Sequence, residues 1–156
     1  MKTTTAPDDV TTINGVITDQ RPVDFHSLGL AGCIDRLAAP LRRQGTEIHW
    51  ETPHHGVEIS SSSASLLYHA AKEVLSNAFK YAHAHDVTVR LAAVYHGVRL
   101  TVTDNGAGFD SQAPAGGHHG FGLRLMSIAV SEVGGDVSVV SSPGKGTCVT
   151  VTLPLD

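Results

Sequence analysis

Residues 86–110 read DVTVRLAAVYHGVRLTVTDNGAGFD. Apolar and polar residues alternate on both sides of Tyr95-His96-Gly97, which predicts two strands joined by a tight turn. Strands joined in this way must run antiparallel. The second strand stops on a lone carboxylate, Asp104, and the chain then drops its side chains at Gly106 and Gly108. Glycine admits positive φ and lets another group come close to the backbone. An Asp-Asn-Gly step is also an ordinary turn, so the stretch sets the strand pairing and leaves the role of the acid to its surroundings.

Working outward, residues 61–84 (SSSASLLYHAAKEVLSNAFKYAHA) form the strongest helical pattern, with serines available for its N-cap. A second helical pattern covers 28–45, through Leu30, Ile34, Leu37 and Leu41 to a stop at Gly45, with Pro40 interrupting its second half. The segment EIHWE, 47–51, predicts a short strand. Downstream, FGLRLMSIAVSEVGG predicts a helix closed by Gly134-Gly135, and DVSVVSSPGKGTCVTVTLP a second hairpin. Residues 110–120 are polar and rich in glycine and proline, without apolar periodicity. Residues 1–20 read as a flexible tail or linker with one short strand at INGVIT, which leaves 21–156 as one domain.

Helices gathered on one face of hairpin-paired strands give an α+β, two-layer sandwich. A doubly wound nucleotide fold needs strand–helix alternation and a glycine loop after its first strand, and this chain has neither. SSPGKGT is not a P-loop, because Gly146 rather than Ser or Thr follows Lys145. The composition is that of an ordinary globular chain: 156 residues, 41% hydrophobic, net charge −4. That charge balance gives no footprint for nucleic acid or an anionic membrane. No apolar run reaches the roughly 18 residues of a membrane span, and the two cysteines make no CxxC pair, so a cytoplasmic setting is expected.

On the 61–84 helix, Leu67, Ala71, Val74, Ala78 and Ala82 share one stripe, the expected core face. Glu73, Asn77 and Lys80 fall within roughly 60° of one another on nearly the opposite side. An acid, an amide and a cation one turn apart make either a solvated charged face or a wall suited to a triphosphate and its metal. An amide oxygen is a hard magnesium ligand, an ammonium is a mobile charge for phosphate, and a carboxylate can orient or deprotonate a water. Gly120 and Gly122 precede the next helix, whose first N–H groups can face an anion. Thr147 starts the final strand, where an ordinary β-branched residue would also serve.

In order, the chain carries E-x-x-x-N-x-x-K, then D-x-G-x-G-F, then G-x-G-L-x-x-M, then G-T. This set, spread over residues 22–155, resembles the ATP-binding domain of sensor histidine kinases, in the superfamily that holds DNA gyrase, the Hsp90 chaperones and the MutL mismatch-repair proteins. EVLSNAFKYA resembles the family's N-box, DNGAGF its first glycine box and GFGLRLM its second. The short segment between the glycine boxes, with RPVDFHSLGL upstream, is similar to the subfamily of nitrate/nitrite sensors, which act on response regulators with helix-turn-helix output.

The resemblance implies a Bergerat-type sandwich, with a mixed but mostly antiparallel sheet and about three helices on one face. It implies ATP and Mg2+ as ligands. Asp104 would accept from the exocyclic amine of adenine, and a carboxylate offers nothing to the oxygen that guanine carries there. Asn77 would hold magnesium, Glu73 would be catalytic, and Lys80 and the backbone of Gly120, Phe121, Gly122 and Leu123 would meet phosphate. Tyr81, Phe109 and Thr147 would adjoin the nucleotide, and Gly106 and Gly108 would let the backbone line the base and the following lid move. The chain departs from the pattern at Tyr81, where the subfamily usually has His, and at His69, where Arg is common.

No histidine of the chain sits on a two-helix segment of the kind that receives phosphate in this family. The expectation is a catalytic half, unable to phosphorylate itself, that delivers phosphate to a histidine-containing dimerisation domain. Two other readings share the nucleotide motifs: an anti-sigma-factor serine kinase, and a non-catalytic module in which ATP only orders a lid. The ten histidines, including the pairs His54-His55 and His118-His119, read as solvated, with His118 and His119 placed in the lid.

Overall fold

The computed structural model describes residues 10–13, 16–19, 25–51, 59–110 and 120–154. The expected lid, apart from Asp110 and Gly120, lies outside them, as do His54, His55, His118 and His119. The elements in order are β1 (Val10–Ile13), β2 (Val16–Asp19), α1 (Phe25–Leu37), α2 (Ala39–Arg43), β3 (Glu47–Trp50) and α3 (Ser61–Asn77). A π-helical turn, Ala78–Ala82, extends α3. Then come β4 (Asp86–Val94), β5 (Gly97–Asp104), α4 (Gly120–Glu132), β6 (Asp136–Ser141) and β7 (Thr147–Pro154).

Both expected hairpins form, as β4–β5 and β6–β7, and β7 joins them by pairing antiparallel with β5. The edge strand β3 runs parallel to β4, because the crossover through α3 returns it in the same direction. The sheet order is therefore β3-β4-β5-β7-β6, a mixed, mostly antiparallel sheet. Alternate residues of the strands, including Val87, Val89, Leu100, Val102, Val149 and Val151, join Leu67, Ala71, Val74, Ala78 and Ala82 in one buried cluster. The predicted stripe of α3 is thus the core face, and its helix is capped by Ser60 Oγ, which accepts from the Ser63 N–H at 3.2 Å.

Three local readings change. The 28–45 helix is two helices: α1 ends at Leu37, Ala38 makes the turn, and Pro40 enters the first turn of α2, where a missing N–H costs nothing. The 61–84 helix stops being α-helical at Asn77 and widens into the π turn before His83 ends it at φ +51°. Residues 10–19 carry two strands paired antiparallel, where one strand at INGVIT was expected. Two β-branched runs flanking Asn14-Gly15 are a strong hairpin signal, and it outweighs the polar composition.

Leu67 is fully buried in the core cluster. Leu67→Ala should lower unfolding stability by about 2–5 kcal/mol, the usual range for a buried leucine truncation. Urea denaturation gives the value, and a loss below about 1 kcal/mol would contradict this packing.

Candidate functional site

A cleft with about 420 Å³ of unfilled space, open mouth included, lies between α3 with its π turn and the β5–β7 pair. Val74, Asn77, Ala78, Tyr81 and Ala82 form its helix wall, and Val102, Asp104, Thr147 and Val149 its sheet wall. Gly108, Phe109 and Leu123 close the sides. A largely apolar lining with few polar groups is the usual make-up of a small-molecule site.

Among the described residues Asp104 is the one carboxylate in that lining. As the last residue of β5 it stands opposite Thr147, the first of β7. Its Oδ1 accepts the Gly106 N–H at 2.9 Å. Burial pushes its carboxyl above the usual carboxylate range, against the pull of backbone N–H groups from Gly106 and Thr147.

The loop after Asp104 is fastened on both sides. The Ala82 carbonyl, one of the helix-end acceptors with no helical partner, accepts the Ala107 N–H at 2.7 Å. A Cβ on Gly106 would overlap that same carbonyl oxygen. Gly108 has φ +65°, and a Cβ there would overlap the Ser142 carbonyl. The groups that come close to these two glycines are protein backbone, and Gly108 also lines the cleft. Gly144 N donates to Ala107 O at 2.6 Å, and Phe109 N to Ser141 Oγ at 2.9 Å.

The predicted trio on α3 separates. Asn77 lines the cleft, whereas Lys80 is exposed and outside the lining. Glu73 is half-buried, with its carboxylate against Gly122 in the first turn of α4. Beyond Asn77 the π turn changes the angle per residue; within it Lys80 is exposed and Tyr81 lines the cleft. Gly120 and Gly122, expected to precede the helix, lie within the first turn of α4, which starts at Gly120.

Two polar residues went unnoticed in the sequence. Asn105 Oδ1 accepts the His85 and Asp86 N–H groups, both at 2.9 Å, and ties the end of β5 to the start of β4. Ser141 Oγ donates to Gly146 O at 3.1 Å, accepts from Phe109 N, and lies 2.8 Å from Thr147 Oγ1. The Asp-Asn-Gly step was a legible signal for Asn105; nothing in the alternation of DVSVVSS marked Ser141.

The fold is a two-layer α+β sandwich with a cleft between its helices and its mixed sheet. Residues 62–156 match the family described as histidine kinase-, DNA gyrase B-, and HSP90-like ATPase, and the chain belongs to that family. It is similar to the sensor histidine kinase LiaS of Bacillus subtilis (strain 168), with 35% identity over 137 residues, 86% of this chain and 37% of that protein. The sensor histidine kinase MctS of Rhizobium johnstonii is 30% identical over 138 residues, 87% of this chain and 30% of its own length. The blue-light activated histidine kinase of Erythrobacter litoralis EL346 shares the fold with a TM-score of 0.63 at 23% identity, over 78% of this chain and 40% of that one. The domain is thus of the ATP-binding catalytic type that sensor histidine kinases carry, and it spans about a third of the length of the curated relatives it matches. Among the described residues no helix is long and apolar enough to cross a membrane.

The raised Asp104 carboxyl has a stability consequence. The folded state binds this proton more tightly than the unfolded chain, so the group favours folding when protonated. That advantage is lost as pH rises through the raised folded value. Asp104→Asn, which keeps the acceptor oxygen without the charge, should make the ligand-free protein more stable at pH 7, with the difference shrinking toward about pH 4 as the native carboxyl gains its proton. Paired urea melts at the two pH values check this, and a less stable variant at pH 7 would refute it.

Proposed function

We propose that this chain binds ATP with magnesium and donates the γ-phosphoryl group to a histidine on a two-helix dimerisation domain, in the same parent protein or in trans. The observation that carries the proposal is a half-buried carboxylate, Asp104, in an otherwise largely apolar cleft. It is an acceptor for the exocyclic amine of adenine, and it has no donor for the oxygen of guanine. Tyr81, Phe109, Gly108, Leu123 and Thr147 surround the base and sugar in this reading. The amide of Asn77, in the same wall, is the residue that fits magnesium, and the ion would offset the charge of the phosphates.

Lys80 at the exposed rim and the first turn of α4 (Gly120, Phe121, Gly122) meet the phosphates, and Gly106 sets the floor beside Asp104. Glu73, held beside that turn, orients the acceptor or takes its proton. The domain is residues 21–156, preceded by the 1–20 segment. A response regulator with helix-turn-helix output is the downstream partner, and the setting is cytoplasmic, with no nucleic-acid contact. The names of the relatives favour this reading over the anti-sigma-factor kinase or a non-catalytic module.

Titration with ATP and GTP tests the base assignment. ATP should bind more tightly, and Asp104→Asn should weaken it by about 1.5–3 kcal/mol, the scale for a hydrogen bond to a charged group. Equal affinities for the two nucleotides in the native protein would remove the assignment.

Transfer is tested with labelled ATP and magnesium. Phosphoryl transfer needs an acceptor in line with the leaving oxygen, so the chain alone should acquire no acid-labile label, and a separately prepared two-helix domain from a similar kinase should be labelled. Label on the isolated chain would overturn the requirement for a partner.

A further inference from the structure

The face of the sheet turned away from the helices carries a second cluster of ligand-type groups. His49 Nε2 lies 2.8 Å from Asp86 Oδ1 and 3.8 Å from Glu47 Oε1. One ligand atom from each of the three residues falls within 4.8 Å of the others. We propose that Glu47, His49 and Asp86 bind one divalent transition-metal ion of the zinc class, separate from the magnesium assigned to Asn77.

The backbone brings these groups together. Glu47 and His49 are two apart on β3, so both leave the same face of the strand, while Ile48 and Trp50 between and beyond them pack against the core. Asp86 stands directly opposite Glu47 in the parallel register of β3 with β4. A tetrahedral ion about 2.0–2.1 Å from nitrogen and oxygen ligands holds them about 3.3 Å apart. The observed spacings straddle that value, and Glu47, exposed at the sheet edge, has the freedom to close the remainder.

Charge and support favour an ion as well. Among the described residues the only ion pairs of Glu47 and Asp86 are with His49, with no lysine or arginine among them, and His85 is a second imidazole acting on Asp86. A surface pair of that kind contributes little by itself. Asp86 is also held from behind: its Oδ2 accepts from Asn105 Nδ2 at 3.0 Å, and Asn105 is fixed by the His85 and Asp86 N–H groups. Outer support of this kind orients metal-binding carboxylates. An imidazole with two carboxylates suits zinc, cobalt or nickel better than magnesium or calcium, which take oxygen ligands alone. Water completes the coordination on the open side.

The test is calorimetric titration of the whole chain with Zn2+ in the absence of nucleotide, so its outcome is independent of the ATP assignment. One binding component should weaken by about tenfold or more in Glu47→Gln and disappear in His49→Ala. Any zinc held by the other histidines is common to all variants, so the difference between variants is the readout. Co2+ as a probe should give a visible absorption band that His49→Ala removes. His49→Gln keeps a polar partner for Asp86 and carries the test if His49→Ala alters the circular dichroism. Zinc affinity and cobalt spectra unchanged by the His49 substitution overturn the site.

Discussion

The loop that leaves β5 runs so close to the end of α3 that the Ala82 carbonyl oxygen occupies the space of a side chain at Gly106. The site depends on that approach. It lets the Ala107 N–H close on the same carbonyl, which joins the helix layer to the sheet layer beside the cleft. Gly146 repeats the arrangement on the other side, at φ +80°, where a Cβ would overlap the Asp104 carbonyl. Between these contacts Asp104 is framed by backbone on both flanks, and its position is set by packing that any side chain at Gly106 would disturb.

A carboxylate held in such a frame works against the stability of the fold. Its backbone donors compensate only part of the lost hydration, and burial leaves its carboxyl raised. Groups shifted in this way by burial inside a cleft concentrate at functional sites. An apolar residue would pack there without that penalty, which agrees with the role proposed for the acid toward a ligand. Thr147 and Ser141, joined at 2.8 Å, extend the polar edge of the cleft and link it to the turn before β7.

The N-box helix shows how one element divides its duties. Its α-helical part supplies the core through Leu67, Ala71 and Val74. Its π turn presents Ala78, Tyr81 and Ala82 to the cleft while keeping Ala78 and Ala82 buried. π turns are rare and recur at functional sites, because the extra residue redirects side chains without ending the helix. Membership of the histidine kinase-, DNA gyrase B-, and HSP90-like ATPase family agrees with this use of the helix.

Much was legible in the sequence because it is written in local periodicity. Alternation around Tyr95-His96-Gly97 determined the β4–β5 hairpin, the 3.6-residue stripe determined the buried face of α3, and the ordered motifs named Asn77, Asp104 and Thr147 before any of them was seen in one cleft. Periodicity is carried by neighbours in the chain, and contacts between distant segments are not. The parallel partnership of β3 with β4, the π turn after Asn77, the Gly106–Ala82 approach and the meeting of Glu47, His49 and Asp86 all depend on where separate elements pack. Only the tertiary structure decided them, because each is set by distances between backbones that are remote in sequence.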